Sequence, residues 1–200
     1  MSYLEKFAEI SSLAYVGPFM LEKDPLFIAV VDDPDLGRVL SFQGTHDECQ
    51  VLHDLDIELT YIPGLGEIHK GFADSVFPHS ADILALMDGK KCWFVGHSLG
   101  GAEAVLAATI PNPDMVLGVI TFGCPRLCKD STLEQHFIEN EILVEPFVHA
   151  NDIVPTVPPW LYKAAAYEKI GTYEHWFLNT EDHRVAGYIA AAKEFDLRHQ

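Results

Sequence analysis

Residues 92–108, CWFVGHSLGGAEAVLAA, decide how the chain is read. Cys92, Trp93, Phe94 and Val95 form a short apolar run of strand type, while Ala102, Ala104, Val105, Leu106, Ala107 and Ala108 favour a helix. Between them lies Gly96-His97-Ser98-Leu99-Gly100-Gly101, a G-x-S-x-G pattern at a strand-to-helix junction. The glycines at 96, 100 and 101 remove Cβ atoms that would collide in so sharp a turn. A serine there points its hydroxyl into open space, and the helix N-terminus behind it offers N–H groups and a positive dipole end to an oxyanion. Ser98 is the candidate nucleophile; the plain alternative is a glycine-rich turn with a bystander serine.

Two hundred residues suit a single domain spanning 1–200, long enough to bury a core without staples. With 48% hydrophobic and 22% charged residues, the chain is expected to fold throughout. The formal net charge of -17 opposes nucleic acid and strongly anionic lipid, and the 13 Lys and Arg form no basic patch. No basic leader precedes an apolar stretch in MSYLEKFAEISSLAY, and no apolar run approaches a membrane span. A cytoplasmic location without stable membrane insertion is therefore expected, with a trimmed leader or another export route left open. Cys49, Cys92, Cys124 and Cys128 lack metal-ligand spacing, which favours free thiols in a reducing compartment.

Leu4, Phe7, Ala8 and Ser11 recur at helical spacing, predicting a helix over 3–15 that Gly17 and Pro18 end. LFIAVVDD (26–33) and GRVLSFQG (37–44) predict an antiparallel hairpin. A helix over 47–56, a strand in IELTYIP and a helix from Lys70 bent or delayed by Pro78 follow. Further strands are expected at 92–96, 114–123 and 142–150, with helices at 98–109, around Leu133 and Phe137, and from Asp182 to about Phe195. This alternation implies an α/β fold: a mainly parallel sheet covered on both faces, with the active groups at the carboxyl ends of the strands.

A serine hydroxyl needs an imidazole base, and usually a carboxylate to hold that imidazole. Downstream of Ser98 the acids are Asp114, Asp130, Asp152 and Asp182. Asp152 is favoured because it directly follows a strand, in a loop whose prolines restrict its geometry. Asp130 is expected to cap or begin a helix, and Asp182 adjoins His183 too closely to grip its ring. The candidate bases are His175, His183 and His199. His183, at a loop-to-helix transition, is preferred over His175 in an aromatic, strand-like stretch and over His199 at the terminus.

The motifs FQGT (42–45), IHKGF (68–72), GHSLGGA (96–102), TFGCPR (121–126), NDIVPTVPP (151–159) and DHRVAGY (182–188) occur in the order seen in class 3 lipases, and the chain resembles that family over residues 37–188. The resemblance implies an α/β-hydrolase fold, carboxylic ester hydrolysis and a triad mapping onto Ser98, Asp152 and His183. It also implies an oxyanion hole from Thr45 and the Leu99 amide. Acyl transfer through such a triad requires no metal or organic cofactor. Gln43 stands where the family usually carries arginine, which puts an ion pair near the oxyanion loop in doubt. Glu103 takes a position apolar in many relatives and is expected to face solvent. The stretch after Thr45 is short, so a small or absent lid and an open serine are expected.

Trp160, Leu161, Tyr162 and Trp176 are candidates for an acyl groove, for transient contact with a lipid surface, or for the core. Triacylglycerol lipase, phospholipase A1 and soluble short-chain or feruloyl-type esterase all fit the motifs, with a lipase-like esterase preferred. A catalytically silent hydrolase fold used as a binding module is the rival of another class.

Overall fold

Cys92–His97 forms the central strand of the sheet, and its side chains divide between the two sheet faces with a period of two. Cys92 and Phe94 enter one apolar cluster, whereas Trp93 and Val95 pack into the other. A strand that is apolar on both sides requires cover on both sides. The structure, a computed structural model, describes residues 3–44, 58–158, 163, 166–172 and 177–198.

In chain order the strands among the described residues are β1 (Leu21–Lys23), β2 (Leu26–Asp33), β3 (Gly37–Phe42), β4 (Leu59–Ile62), β5 (Gly66–His69), β6 (Cys92–His97), β7 (Val116–Phe122), β8 (Val144–His149) and β9 (Glu168–Ile170). Among the described residues the α-helices are α1 (Tyr3–Leu13), α2 (Lys70–Val76), α3 (Ser80–Met87), α4 (Leu99–Ala107), α5 (Thr132–Glu139) and α6 (Val185–Arg198). Among the described residues, seven strands form one sheet in the order β1-β2-β3-β6-β7-β8-β9. It is parallel from β3 through β9, and β1 and β2 add an antiparallel edge. On one face lie α1 and α6, packed on Val39, Val95, Ile120 and Phe147. On the other, α2 to α5 enclose Leu40, Phe42, Phe94 and Val119. Phe94 is fully buried; cutting it to alanine would cost about 3–5 kcal/mol.

The expected hairpin is present as β2 and β3, and Pro78 divides the long helical stretch into α2, a 3-10 turn at Phe77–His79 and α3. The first helix stops at Leu13, earlier than expected. The last begins at Val185, because a 3-10 turn at Glu181–His183 precedes it. Strands β1, β5 and β9 were not expected; each is three or four residues long, too short to show a period. The helix expected over 47–56 and the stretch proposed for a small lid lie outside the described residues. Among the described residues, no helix is long and apolar enough to cross a membrane.

Candidate active site

The elbow sequence dictates its own geometry. β6 delivers His97 to the carboxyl edge of the sheet, Ser98 follows at φ 59° and ψ -132°, and α4 begins at Leu99. Such a backbone is strained for an L-residue and persists only where its surroundings hold it. Ser98 N donates to Phe122 O on neighbouring β7 at 2.9 Å, and Ser98 O accepts from Gly101 N at 2.9 Å. A Cβ at Gly96 would lie 2.1 Å from Gly100 O, so the turn closes only without one. Leu99 opens the helix, so its amide is among the N–H groups with no acceptor inside α4. Thr45, the other expected oxyanion residue, lies outside the described residues.

β8 ends at His149 and leads directly into the loop carrying Asp152. Asp152 Oδ1 accepts from Val154 N at 2.8 Å. Its Oδ2 accepts from His183 Nδ1 at 2.6 Å, and His183 Nε2 meets Ser98 Oγ at 2.8 Å. An ionised carboxylate only accepts, so Nδ1 carries the proton and Nε2 presents its lone pair to the serine hydroxyl. All three side chains are buried; Ser98 is 1% exposed, contrary to the open serine expected from the sequence. Among the described residues, the His183 ring and Gly44 stand against it.

The other acids occupy structural positions. Asp130 Oδ1 accepts from Thr132 N at the start of α5, and Asp114 lies in a 3-10 turn. Asp182 Oδ2 accepts from Asn151 N and Asn179 Nδ2, both at 3.0 Å, and its carbonyl accepts from His149 Nδ1 at 2.9 Å. Asp182 thus staples the His183 turn to the Asp152 loop. His175 and His199, with Trp160, Leu161, Tyr162 and Trp176, lie outside the described residues.

Three further residues join this constellation, Tyr188 and His97 directly and Tyr15 through His97. Tyr188 on α6 is fully buried and donates its hydroxyl to Asp152 Oδ2 at 2.6 Å. Burial first, and then the Asp152 charge, hold its phenol well above the usual tyrosine range, so it remains a donor. His97, inside the elbow, stacks on His183 with ring centroids 4.6 Å apart. Its Nε2–H donates to the His183 carbonyl at 2.6 Å, and its Nδ1 accepts from Tyr15 Oη at 2.7 Å. Burial, followed by the neighbouring His183, pushes His97 well below the usual histidine range, consistent with a neutral ring in this tautomer. Tyr188 falls within the DHRVAGY motif, and its ring packs from α6 against Phe122 of β7; nothing local marked Tyr15.

Glu103 is a correction. Its residue is 5% exposed, not solvent-facing, and Ser75 Oγ on α2 donates to its Oε1 at 2.6 Å. Burial raises its carboxyl to about 8, against a smaller lowering by the Ser75 bond. The reason is the helix itself: Gly100 to Ala107 are all buried, so α4 has no wet face at that position.

The fold and this constellation define the α/β-hydrolase class. The profile of the family described as Lipase (class 3) matches residues 39–162, well over half of the chain, and the chain belongs to that family. It is 25% identical over 192 residues to the secreted mono- and diacylglycerol lipase MDL2 of Malassezia globosa, covering 81% of this chain and 62% of that one. It is 32% identical over 135 residues to a lipase of Rhizopus niveus, covering 60% of this chain and 34% of that one. The chain therefore spans less than two thirds of the length of these curated relatives. Among solved structures, lipase II from Rhizopus niveus superposes with a TM-score of 0.58 at 27% identity, covering 67% of this chain and 56% of that one. A triacylglycerol lipase superposes with a TM-score of 0.72 at 20% identity, covering 90% and 91%, which speaks for the fold alone.

Proposed function

We propose that the chain is a serine hydrolase of lipid carboxylic esters, acting through an acyl-enzyme on Ser98. The observation that carries this reading is the unbroken hydrogen-bond chain from Ser98 Oγ through His183 to Asp152. In the proposed cycle His183 Nε2 takes the Ser98 proton as Oγ adds to the ester carbonyl. The Leu99 amide, with Thr45, receives the negative charge on the carbonyl oxygen. Collapse expels the alcohol, which takes the proton from His183 and leaves an ester on Ser98. Water then adds, losing a proton to His183; the carboxylic acid departs as Oγ recovers its hydrogen. Asp152 holds the imidazole and balances its transient positive charge. No step requires a metal or an organic cofactor.

Lipid esters are the proposed substrates because the relatives are lipases. Contact with lipid is proposed to be transient, and a charge of -17 favours neutral or zwitterionic surfaces over anionic ones. A reducing, cytoplasmic setting is part of this proposal, and in it Cys92, Cys124 and Cys128 would stay thiols. Labelling with a small fluorophosphonate tests the nucleophile: Ser98 is modified, and Ser98→Ala is neither modified nor active. An unlabelled Ser98 would favour a silent binding module. A chain-length panel of esters, measured below and above aggregation, separates a lipase from a soluble esterase; saturation on short soluble esters with no jump at aggregation favours the esterase.

A further inference from the structure

A cavity of about 410 Å³ lies on the α2-to-α5 face of the sheet, between β8, α4 and α5. Apolar walls come from Val105 of α4, Leu133 and Phe137 of α5, Ile142 just before β8 and Val144 at its start. None of Ser98, Asp152 and His183 lines it. Around its rim Ile138, Leu143 and Tyr167 are 62%, 47% and 40% exposed, so large side chains face water beside an apolar opening. Both its size and its lining are those of a small-molecule site.

The charge inside is sparse. Cys124 and Cys128 line the cavity as neutral thiols, burial pushing them up to about 12 and about 11. Lys163 is paired with Glu134 and donates to Ser131 Oγ at 2.9 Å. Arg126 differs. It lines the cavity, its backbone N is fixed to Val157 O at 2.8 Å, and its buried Nε has no hydrogen-bond partner among the described residues. A guanidinium cannot shed its charge, so a buried N–H without an acceptor is costly until one arrives.

We propose that this cavity is a second binding site, for a long-chain carboxylate, with the alkyl tail against the Val105, Leu133, Phe137 and Val144 walls and the carboxylate on the Arg126 guanidinium. The assignment leans on the hydrolase reading only in its source of ligand, since such an acid is the product of lipid ester cleavage. A guanidinium matches a carboxylate by charge and by its fork of donors. The chain's overall negative charge works against anions in general, so tail burial supplies most of the affinity, at about fourfold per buried methylene. Butyrate is therefore excluded and decanoate accepted. The cavity also touches the loop that carries Asp152, since Pro155 lies three residues beyond it.

The test titrates decanoate, kept below its aggregation concentration, into the full chain carrying Ser98→Ala and follows heat. The same titration is made after adding Arg126→Gln or Val144→Phe, with 1-decanol and butyrate as controls. Arg126→Gln is expected to weaken decanoate by at least about tenfold while leaving decanol within about twofold. Val144→Phe fills the cavity and removes both. Should Val144→Phe fail to fold, Leu143→Trp at the rim serves the same purpose. In chains that retain Ser98, either variant leaves hydrolysis of a short soluble ester within about twofold of the parent, which reports an intact fold. Absence of decanoate binding, binding indifferent to the variants, or loss of decanoate and decanol alike in Arg126→Gln overturns the assignment. The hydrolase reading fails separately: fluorophosphonate that leaves Ser98 unmodified, with variant-sensitive decanoate binding intact, sinks that reading and leaves the cavity site standing.

Discussion

Tyr188 and His183 donate to the same oxygen of Asp152, each at 2.6 Å, although one sits on α6 and the other in the turn before it. The carboxylate is held from three sides, since Val154 N binds the second oxygen at 2.8 Å. Replacing Tyr188 with phenylalanine removes one charge-assisted donor without changing the packing of the ring, and costs about 1.5–3 kcal/mol of stability. Asp152 can then rotate, and kcat/KM on a soluble ester is expected to fall by about tenfold, less than the loss from removing a triad member. Because the Tyr188 phenol is held well above its ordinary value, the parent donates across the working range, and the ratio of parent to variant should stay flat from about pH 6 to 9. A ratio that collapses towards pH 9 would show the phenol ionising and would refute the assigned donor.

Gly123 shapes the other side of this constellation. At φ 63° it follows β7, and a Cβ there would lie 2.8 Å from both Asp152 Oδ2 and His183 Cε1. Gly123→Ala combines backbone strain with a wedge between base and acid, where a displacement of about 1 Å can cost about a hundredfold in rate. Expected are slow fluorophosphonate labelling of Ser98 and a kcat/KM lowered by about that factor. Labelling at the parental rate would mean that the two side chains tolerate separation.

Asp152 touches the His183 ring and Asp182 does not, so the proposed mechanism assigns catalysis to the first and scaffolding to the second. Asp152→Asn leaves His183 free to adopt the wrong tautomer, and kcat is expected to fall by about 10³–10⁴. Asp182→Asn instead weakens the staple to Asn151 and Asn179, so the melting temperature drops while kcat stays within about tenfold of the parent. Thermal melts and initial rates on both variants check this; equal kcat losses would reassign the acid.

The parts legible in the sequence were those with a repeating or spaced signal. The apolar run from Cys92, the glycines of the elbow and the alternation of strands with helices led to the sheet and to Ser98 at its carboxyl edge. The pairing of Asp152 with His183 was reachable from chain order and from their positions beside element ends. What escaped depends on contacts distant in sequence. Tyr15 meets His97 across 82 positions, and Tyr188 meets Asp152 across 36. Short β5 and β9 owe their form to pairing with β4 and β8, with too few residues to show a period. The charge of Glu103 points to solvent but its context does not: flanked by Ala102, Ala104, Val105 and Leu106 on a helix buried from Gly100 to Ala107, a carboxyl has no route to solvent.

That buried carboxyl makes stability depend on pH in an unusual direction. Glu103 moves from an ordinary 4.5 to about 8 on folding, so between these values the folded chain keeps a proton that the unfolded chain has released. Stability from this group is complete below about 4.5, declines as pH rises towards 8, and is constant above it. Most carboxylates act in the opposite sense, which hides the effect in a single melting curve against pH. Glu103→Gln isolates it, because the amide oxygen still accepts from Ser75 Oγ while the side chain carries no charge at any pH. At pH 5 the two proteins should melt within about a degree or two of each other, and by pH 8 the variant should melt higher by several degrees. The difference, not either curve alone, is the measurement. Parallel curves from pH 5 to 9 would mean that Glu103 is ionised and solvated in the folded chain, and the Ser75 pairing in the helix interior would have to be abandoned.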